Sequence, residues 1–169
     1  MYFADNNNEH DPSLNLALEE YLLRKDGLTD DVVLFYINKP SIIIGRHQNT
    51  LEEINKEYVD QHNIQVVRRL SGGGAVYHDL GNLNFSFITN YQNGYFKNFQ
   101  LFTEPVIRCL HRLGVDAELS GRNDILIDGQ KVSGNAQYIS RGRIVSHGTL
   151  LFNSDLSHTA RNELVDRFH

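Results

Sequence analysis

The sequence predicts an α+β domain, with a mixed or largely antiparallel sheet flanked by a few helices. Three observations predict it. Helical signals occur in three windows, apolar spacing near 11–27 and 99–114 and a capping box near 50–62, while most of the remaining chain reads as short strands. The strands are separated by hairpin-type turns rather than by the regular helices of a βαβ array. The 169 residues, 40% hydrophobic and 22% charged, suit one globular core.

The elements follow in order. Asp11 is placed to cap a helix, and Pro12 suits its first position. Leu14, Ala17, Leu18, Tyr21 and Leu22 share one helical face, and Gly27 ends the segment. Val32 to Ile37 is a strand, Asn38-Lys39-Pro40 a turn and Ser41 to Ile44 a returning strand. Thr50 with Glu53 has the capping-box pattern, which predicts a second helix to about His62. Gln65 to Arg69 is strand-like and runs into Gly72-Gly73-Gly74. Leu83, Phe85 and Phe87 alternate with polar residues, as in a half-buried strand.

Phe99, Phe102, Val106, Leu110 and Leu113 predict a third helix capped by Gly114, with Pro105 forcing a start near Thr103 or a kink. Strands are expected at Ala117 to Leu119, Asp124 to Ile127, Gln130 to Ser133 and Ile144 to Phe152. Asp128-Gly129 marks a tight hairpin turn.

Composition excludes several classes. A net charge of -5 argues against a general nucleic-acid binder, yet leaves room for a local basic pocket. The single cysteine, Cys109, excludes an internal disulfide and fits a reducing cytoplasm. No basic-then-apolar leader opens the chain, and no apolar run is long enough for a membrane helix.

The triple glycine removes every Cβ from one patch of backbone, so main-chain N–H groups can approach an anion. Arg68 and Arg69 add positive charge beside it. The spacing is neither that of a Walker loop nor that of a dinucleotide fingerprint. On its own the loop reads equally well as a flexible hairpin. Lys131 alone reads as a turn lysine, and Asn123-Asp124 as a turn pair. His47, His78 and His147 lack metal-site spacing.

Taken together, the run Arg68 to Phe87 (RRLSGGGAVYHDLGNLNFSF) resembles the signature of the lipoate–protein ligase family. The resemblance continues in Asn15 to Glu20, Ile44 to Asn49, Gly121 to Asp124, Lys131 to Ala136 and His147 to Leu151. It implies a catalytic domain of the fold shared by lipoate ligases, biotin ligases and class II aminoacyl-tRNA synthetases. It also implies a two-step reaction: lipoate and MgATP give lipoyl-adenylate and pyrophosphate, then the acyl group passes to a lysine of an acceptor protein. Expected acceptors are the lipoyl domains of 2-oxoacid dehydrogenases and the glycine-cleavage H protein.

By the same resemblance Lys131 contacts both the lipoyl carbonyl and the phosphate, the catalytic role. Arg69, Gly74, Ala75, Val76, Tyr77, Asn82 and Asp124 join Lys131 around ATP and the adenylate, with Asp124 the magnesium contact. Tyr36, Gly73, His78 and His147, again with Lys131, hold lipoate. The family often has tryptophan where Tyr36 stands.

Three other readings compete. A lipoyl or octanoyl carrier-protein transferase needs a cysteine nucleophile, and Cys109 falls in a helix, where an inert buried thiol is expected. A biotin ligase needs a Gly-Arg-Gly-Arg loop, and Arg141-Gly142-Arg143 reads only as a turn between strands. The third is a remnant that binds lipoate or its adenylate without completing ligation. The resemblance fades after Asp155-Leu156, so the chain is expected to be one large catalytic domain over 1–169, shortened at its C-terminus and without the family's small domain.

Overall fold

A computed structural model describes residues 1–155; the tail at 156–169 lies outside the described residues. Two sheets form. The larger has the order β1 (Tyr2–Ala4), β2 (Val32–Ile37), β6 (Asn82–Asn90), β10 (Arg143–Leu151), β9 (Gln130–Ser140), β8 (Asp124–Ile127), β7 (Ala117–Ser120), and the smaller has β4 (Gln65–Arg68), β3 (Ser41–Ile44), β5 (Val76–His78). In the larger, β1 (Tyr2–Ala4) pairs parallel to β2 (Val32–Ile37), and every other pairing is antiparallel. In the smaller, β3 (Ser41–Ile44) lies parallel to β4 (Gln65–Arg68) and antiparallel to β5 (Val76–His78). The mixed α+β architecture is therefore the predicted one.

Helix α1 (Pro12–Arg24) starts as expected: the Asp11 side chain accepts from the N–H groups of Ser13 and Leu14. Its buried face differs from the predicted one. Leu14 and Tyr21 are exposed, whereas Asn15, Glu19 and Leu23 are buried, one turn apart. Two polar residues hold that face because each meets a buried polar partner, described below. The expected second helix divides into α2 (Thr50–Glu53) and α3 (Lys56–Gln61). The break follows from capping: Asn49 caps the first, and Asn55 caps the second by accepting from Tyr58 N–H. Helix α4 (Phe99–Arg112) starts before Pro105 and continues through it, capped by Asn98.

Strand β6 (Asn82–Asn90) corrects the half-buried reading. It lies between β2 and β10 (Arg143–Leu151), and its side chains are buried or half-buried on both faces up to Thr89. Asn82, Asn84 and Ser86 are as buried as Phe85. A polar row thus runs through the domain centre, facing the site. Beyond β10, β9 (Gln130–Ser140) is longer than predicted and pairs with β8 (Asp124–Ile127), which pairs with β7 (Ala117–Ser120). Asp128 and Gly129 both have positive φ, as the tight β8–β9 hairpin requires.

Three apolar clusters hold these parts. Ile42, Ile44, Val59 and Ile64 join the small sheet to α3. Ile107, Leu110, Ile125 and Leu150 join α4 to the large sheet. Leu23, Val32, Ile88 and Val145 seat α1. Cys109 is exposed on α4 rather than buried, because the apolar face of that helix falls on Phe102, Ile107 and Leu110.

Candidate active site

A cavity of about 820 Å³ lies between the small sheet and the large one. Its walls come from α1, the glycine loop, β5, β6, β9, β10 and the segment before α4. Tyr36, Arg69, Gly73, Gly74, Ala75, Val76, Tyr77, His78, Asn82, Lys131 and His147 all line it. Asp124 is not in the wall but stands beside it, with Oδ1 3.0 Å from Lys131 Nζ. Residues from both ends of the chain therefore converge on one space. Cys109 and His47 are not in that wall.

The Lys131–Asp124 pair depends on a bulge. Ile125 pairs with Ser133 and Leu126 with Lys131, so Val132 is the extra residue. Such a bulge turns the flanking side chains locally. Gly134 pairs with Asp124, and Lys131 Nζ packs 3.5 Å from where a Cβ at Gly134 would stand, an ordinary contact distance.

Arg69 organises the glycine loop. Its Nε donates to Ser71 Oγ at 3.2 Å, and Nη1 to the Ile43 carbonyl at 3.0 Å. Nη2 donates to the carbonyls of Gly72 at 2.9 Å and Gly74 at 2.8 Å. Those four bonds use all but one of the five guanidinium N–H donors. With the carbonyls of Gly72 and Gly74 drawn onto Arg69, the N–H groups of the three glycines have no acceptor among the described residues. Only Gly73 needs its glycine for conformation, with φ +105 and Arg69 Nη2 2.8 Å from a built Cβ. Gly45 is needed for approach, since a Cβ there would meet the Gly73 carbonyl.

A polar network that sequence reading missed supports this loop. Glu19 Oε1 lies 2.9 Å from His147 Nδ1, and His147 Nε2 lies 2.6 Å from Ser71 Oγ. Ser86 donates to Glu19 Oε2. Burial pushes the Glu19 carboxyl up, but the charge and hydrogen bond of His147, with Ser86 and Arg69, outweigh it and hold the group below its ordinary value. Burial and then the Glu19 charge push the Tyr36 phenol well above its ordinary value.

His78 sits at the end of a second network. The Glu9 carbonyl can only accept, so Asn15 must present Nδ2 to it, at 3.0 Å. That Nδ2 also donates to Asn38 Oδ1 at 2.9 Å, which leaves Asn38 Nδ2 to donate to His78 Nδ1 at 3.0 Å. His78 Nδ1 is therefore bare, and Nε2 carries the ring proton. That Nε2 is buried with no partner among the described residues. Burial, with the Arg69 and His147 charges, lowers His78 from 6.5 to about 3.

The electrostatic character of the cavity is one-sided. Arg69, Lys97, Arg122 and Lys131 line it, and no carboxylate does among the described residues. In a chain of net charge -5, that concentration suits anionic ligands. Leu16, Ile43, Val76 and Phe99 supply apolar wall beside the polar one. Asp124 offers a single carboxylate, and no group of three or more metal-ligating side chains occurs among the described residues. Magnesium usually takes one or two carboxylates with phosphate oxygens and water. One carboxylate therefore fits an ion carried by a nucleotide, not a resident protein cage.

This fold, with a cation-lined cavity behind a glycine loop, defines an α+β domain built to receive an anionic ligand. Residues 11–164 match the Lipoyl protein ligase A/B catalytic domain, and the chain belongs to that family. It is 63% identical over 158 residues to the lipoate-protein ligase LplJ of Bacillus subtilis, covering 94% of this chain and 48% of the relative. The chain thus spans about half the length of the curated relatives it matches. Among solved structures, a lipoate protein ligase homologue from Thermoplasma acidophilum with bound lipoic acid superposes with TM-score 0.83 at 31% identity, covering 94% and 70% of the two chains. A lipoate-protein ligase A bound with ATP superposes with TM-score 0.79 at 32% identity, covering 89% and 65%.

Proposed function

We propose that this chain carries the lipoate-activating centre of a lipoate–protein ligase. Lipoate and MgATP react to give lipoyl-adenylate and pyrophosphate, and the acyl group then passes to a lysine of an acceptor lipoyl domain. The observation that carries this reading is the cavity wall: among the described residues it has four cations, no carboxylate and a partly apolar surface, in a member of this family. The reaction brings a carboxylate against an α-phosphate, and only preorganised positive charge and N–H donors offset that repulsion. The relatives' names and the lipoate- and ATP-bound structures support the ligand pair.

In this reading Lys131 Nζ neutralises the lipoate carboxylate and α-phosphate together, a task suited to a compact ammonium. Gly74, Ala75, Val76, Tyr77 and Asn82 surround the adenylate, with Arg69 holding the loop and reaching phosphate through its remaining donor. Tyr36, Gly73, His78 and His147 line the acyl chain. Asp124 meets nucleotide-borne magnesium, which supplies further charge neutralisation when bound. The acceptors are the lipoyl domains of 2-oxoacid dehydrogenases and the glycine-cleavage H protein, in the cytoplasm where ATP is available. Residues 1–169 act as a single catalytic domain.

The carrier-protein transferase reading is disfavoured because Cys109 is exposed on α4, outside the cavity wall. The decisive experiment is ATP–pyrophosphate exchange. Exchange that requires lipoate is expected, and its absence overturns the proposal. Lipoylation of a purified lipoyl domain measures the second half-reaction separately.

A further inference from the structure

Of the four cations in the cavity wall, two are already engaged by the protein. Arg69 spends four donors on the loop, and Lys131 faces Asp124. The other two are Lys97 and Arg122. Arg122 has no hydrogen-bonded or ionic partner among the described residues, and the Lys97 ammonium has only the Phe96 ring, 5.9 Å from its centroid.

Their backbones are nevertheless firmly held. Lys97 has φ +66, a conformation that L side chains rarely adopt. Its N–H donates to Gln137 Oε1 at 2.6 Å, and Asn98 next to it caps α4. A non-glycine residue kept in that region costs of order 1 kcal/mol and persists only where its surroundings enforce it. Arg122 sits in the β7–β8 turn, and the adjacent Asn123 is clamped to β9. Asn123 Nδ2 donates to the Asn135 carbonyl at 2.7 Å, and Asn135 Nδ2 donates back to the Asn123 carbonyl at 3.0 Å. Two fixed backbones thus place two cationic side chains without an ionic partner among the described residues in the wall of one cavity.

We propose that Lys97 and Arg122 bind the β- and γ-phosphates of the nucleotide and hold them as pyrophosphate departs. This rests on the activation reaction proposed above. There, a lipoate carboxylate oxygen bonds to the α-phosphorus, the bond from that phosphorus to the bridging oxygen breaks, and the electron pair leaves with pyrophosphate. The leaving group carries most of the nucleotide's negative charge. Arg69 and Lys131, committed at the loop and at the reacting junction, leave that charge to the two remaining cations. Both are positioning residues for the leaving group, with no contact to the acyl chain.

The test uses Lys97→Gln, Arg122→Gln and the double variant, each with its thermal midpoint measured. Calorimetry with inorganic pyrophosphate alone is the first readout. Wild type binds it, and each variant binds it about tenfold more weakly, as for loss of one charge-assisted contact. KM for ATP and for pyrophosphate in the exchange assay rises by a similar factor. Affinity for preformed lipoyl-adenylate, which lacks both phosphates, and the rate of acyl transfer from it stay within about twofold of wild type. Absence of pyrophosphate binding by wild type overturns the inference. So does a parallel fall in adenylate affinity or acyl transfer, which would place the two cations on the acyl or acceptor side. A wild type that binds pyrophosphate but shows no lipoate-dependent exchange refutes the activation reading instead.

Discussion

Glu19 Oε1 and His147 Nδ1 are 2.9 Å apart, both side chains are buried, and 128 residues of chain separate them. A carboxylate only accepts, so Nδ1 carries a proton and Nε2 is turned to Ser71. Ser71 Oγ in turn accepts from Arg69. Helix α1 and strand β10 thereby fix the arginine that shapes the glycine loop. Glu19→Ala leaves buried donors unpaired and is expected to cost about 3 kcal/mol in denaturant unfolding. Glu19→Gln, which keeps an acceptor, costs less.

The same pair sets an acid limit. Glu19 is held below its ordinary value of 4.5, so on acidification the unfolded chain takes up this proton before the native state does. Its stabilisation is complete above that value and is lost as pH falls through the lowered native value. Unfolding free energy measured across this range should fall less steeply in Glu19→Gln than in wild type, by the share this carboxyl contributes.

His78 provides a second pH window. Its native value of about 3 lies below the unfolded value of 6.5, so the unfolded chain binds the extra proton between them. Stability from this group is therefore complete above 6.5 and falls as pH drops towards 3, with a slope approaching one proton. His78→Phe removes that slope. Nitrogen-15 NMR of the ring should show the neutral tautomer with the proton on Nε2; a proton on Nδ1 would refute the amide relay from Glu9 through Asn15 and Asn38.

The three loop glycines should respond unequally. Gly73→Ala meets both the positive φ and Arg69 Nη2, and is expected to cost about 1–3 kcal/mol. A Cβ at Gly72 or Gly74 meets nothing within 4 Å, so alanine there should change stability by less than about 0.5 kcal/mol. Thermal midpoints of the three variants decide this.

Lys131 and Asp124 separate activity from stability. The pair is substantially solvent-exposed, so Lys131→Ala should alter stability by no more than about 1 kcal/mol. Exchange should nevertheless fall by about 100-fold or more, as when one preorganised charge-stabilising group is removed. Cys109→Ala should keep full exchange, and loss of activity there would revive the transferase reading.

Several features were legible from the sequence because each is set locally. Asp11 and Pro12 begin α1, Asp128-Gly129 turns the β8–β9 hairpin, and glycines 72–74 follow β4, all as their side chains or φ preferences dictate. The split of α2 from α3 was missed because Asn49 and Asn55 both cap, and capping competed with the Thr50–Glu53 pattern. Burial of β6 on both faces was missed because Asn82, Asn84 and Ser86 read as a solvent face, whereas their polar partners, Tyr36 and Glu19 among them, come from other segments.

By itself, then, the sequence determined the fold class, the family and many of the residues that converge on one cavity, because motif spacing and turn chemistry are short-range constraints. Only the tertiary structure decided that α1 buries Asn15 and Glu19, that Arg69 is spent on its own loop, and that Lys97 and Arg122 remain unengaged. A polar residue is buried only where a partner arrives to satisfy it. Those partners come from segments tens of residues away, so no local pattern encodes them.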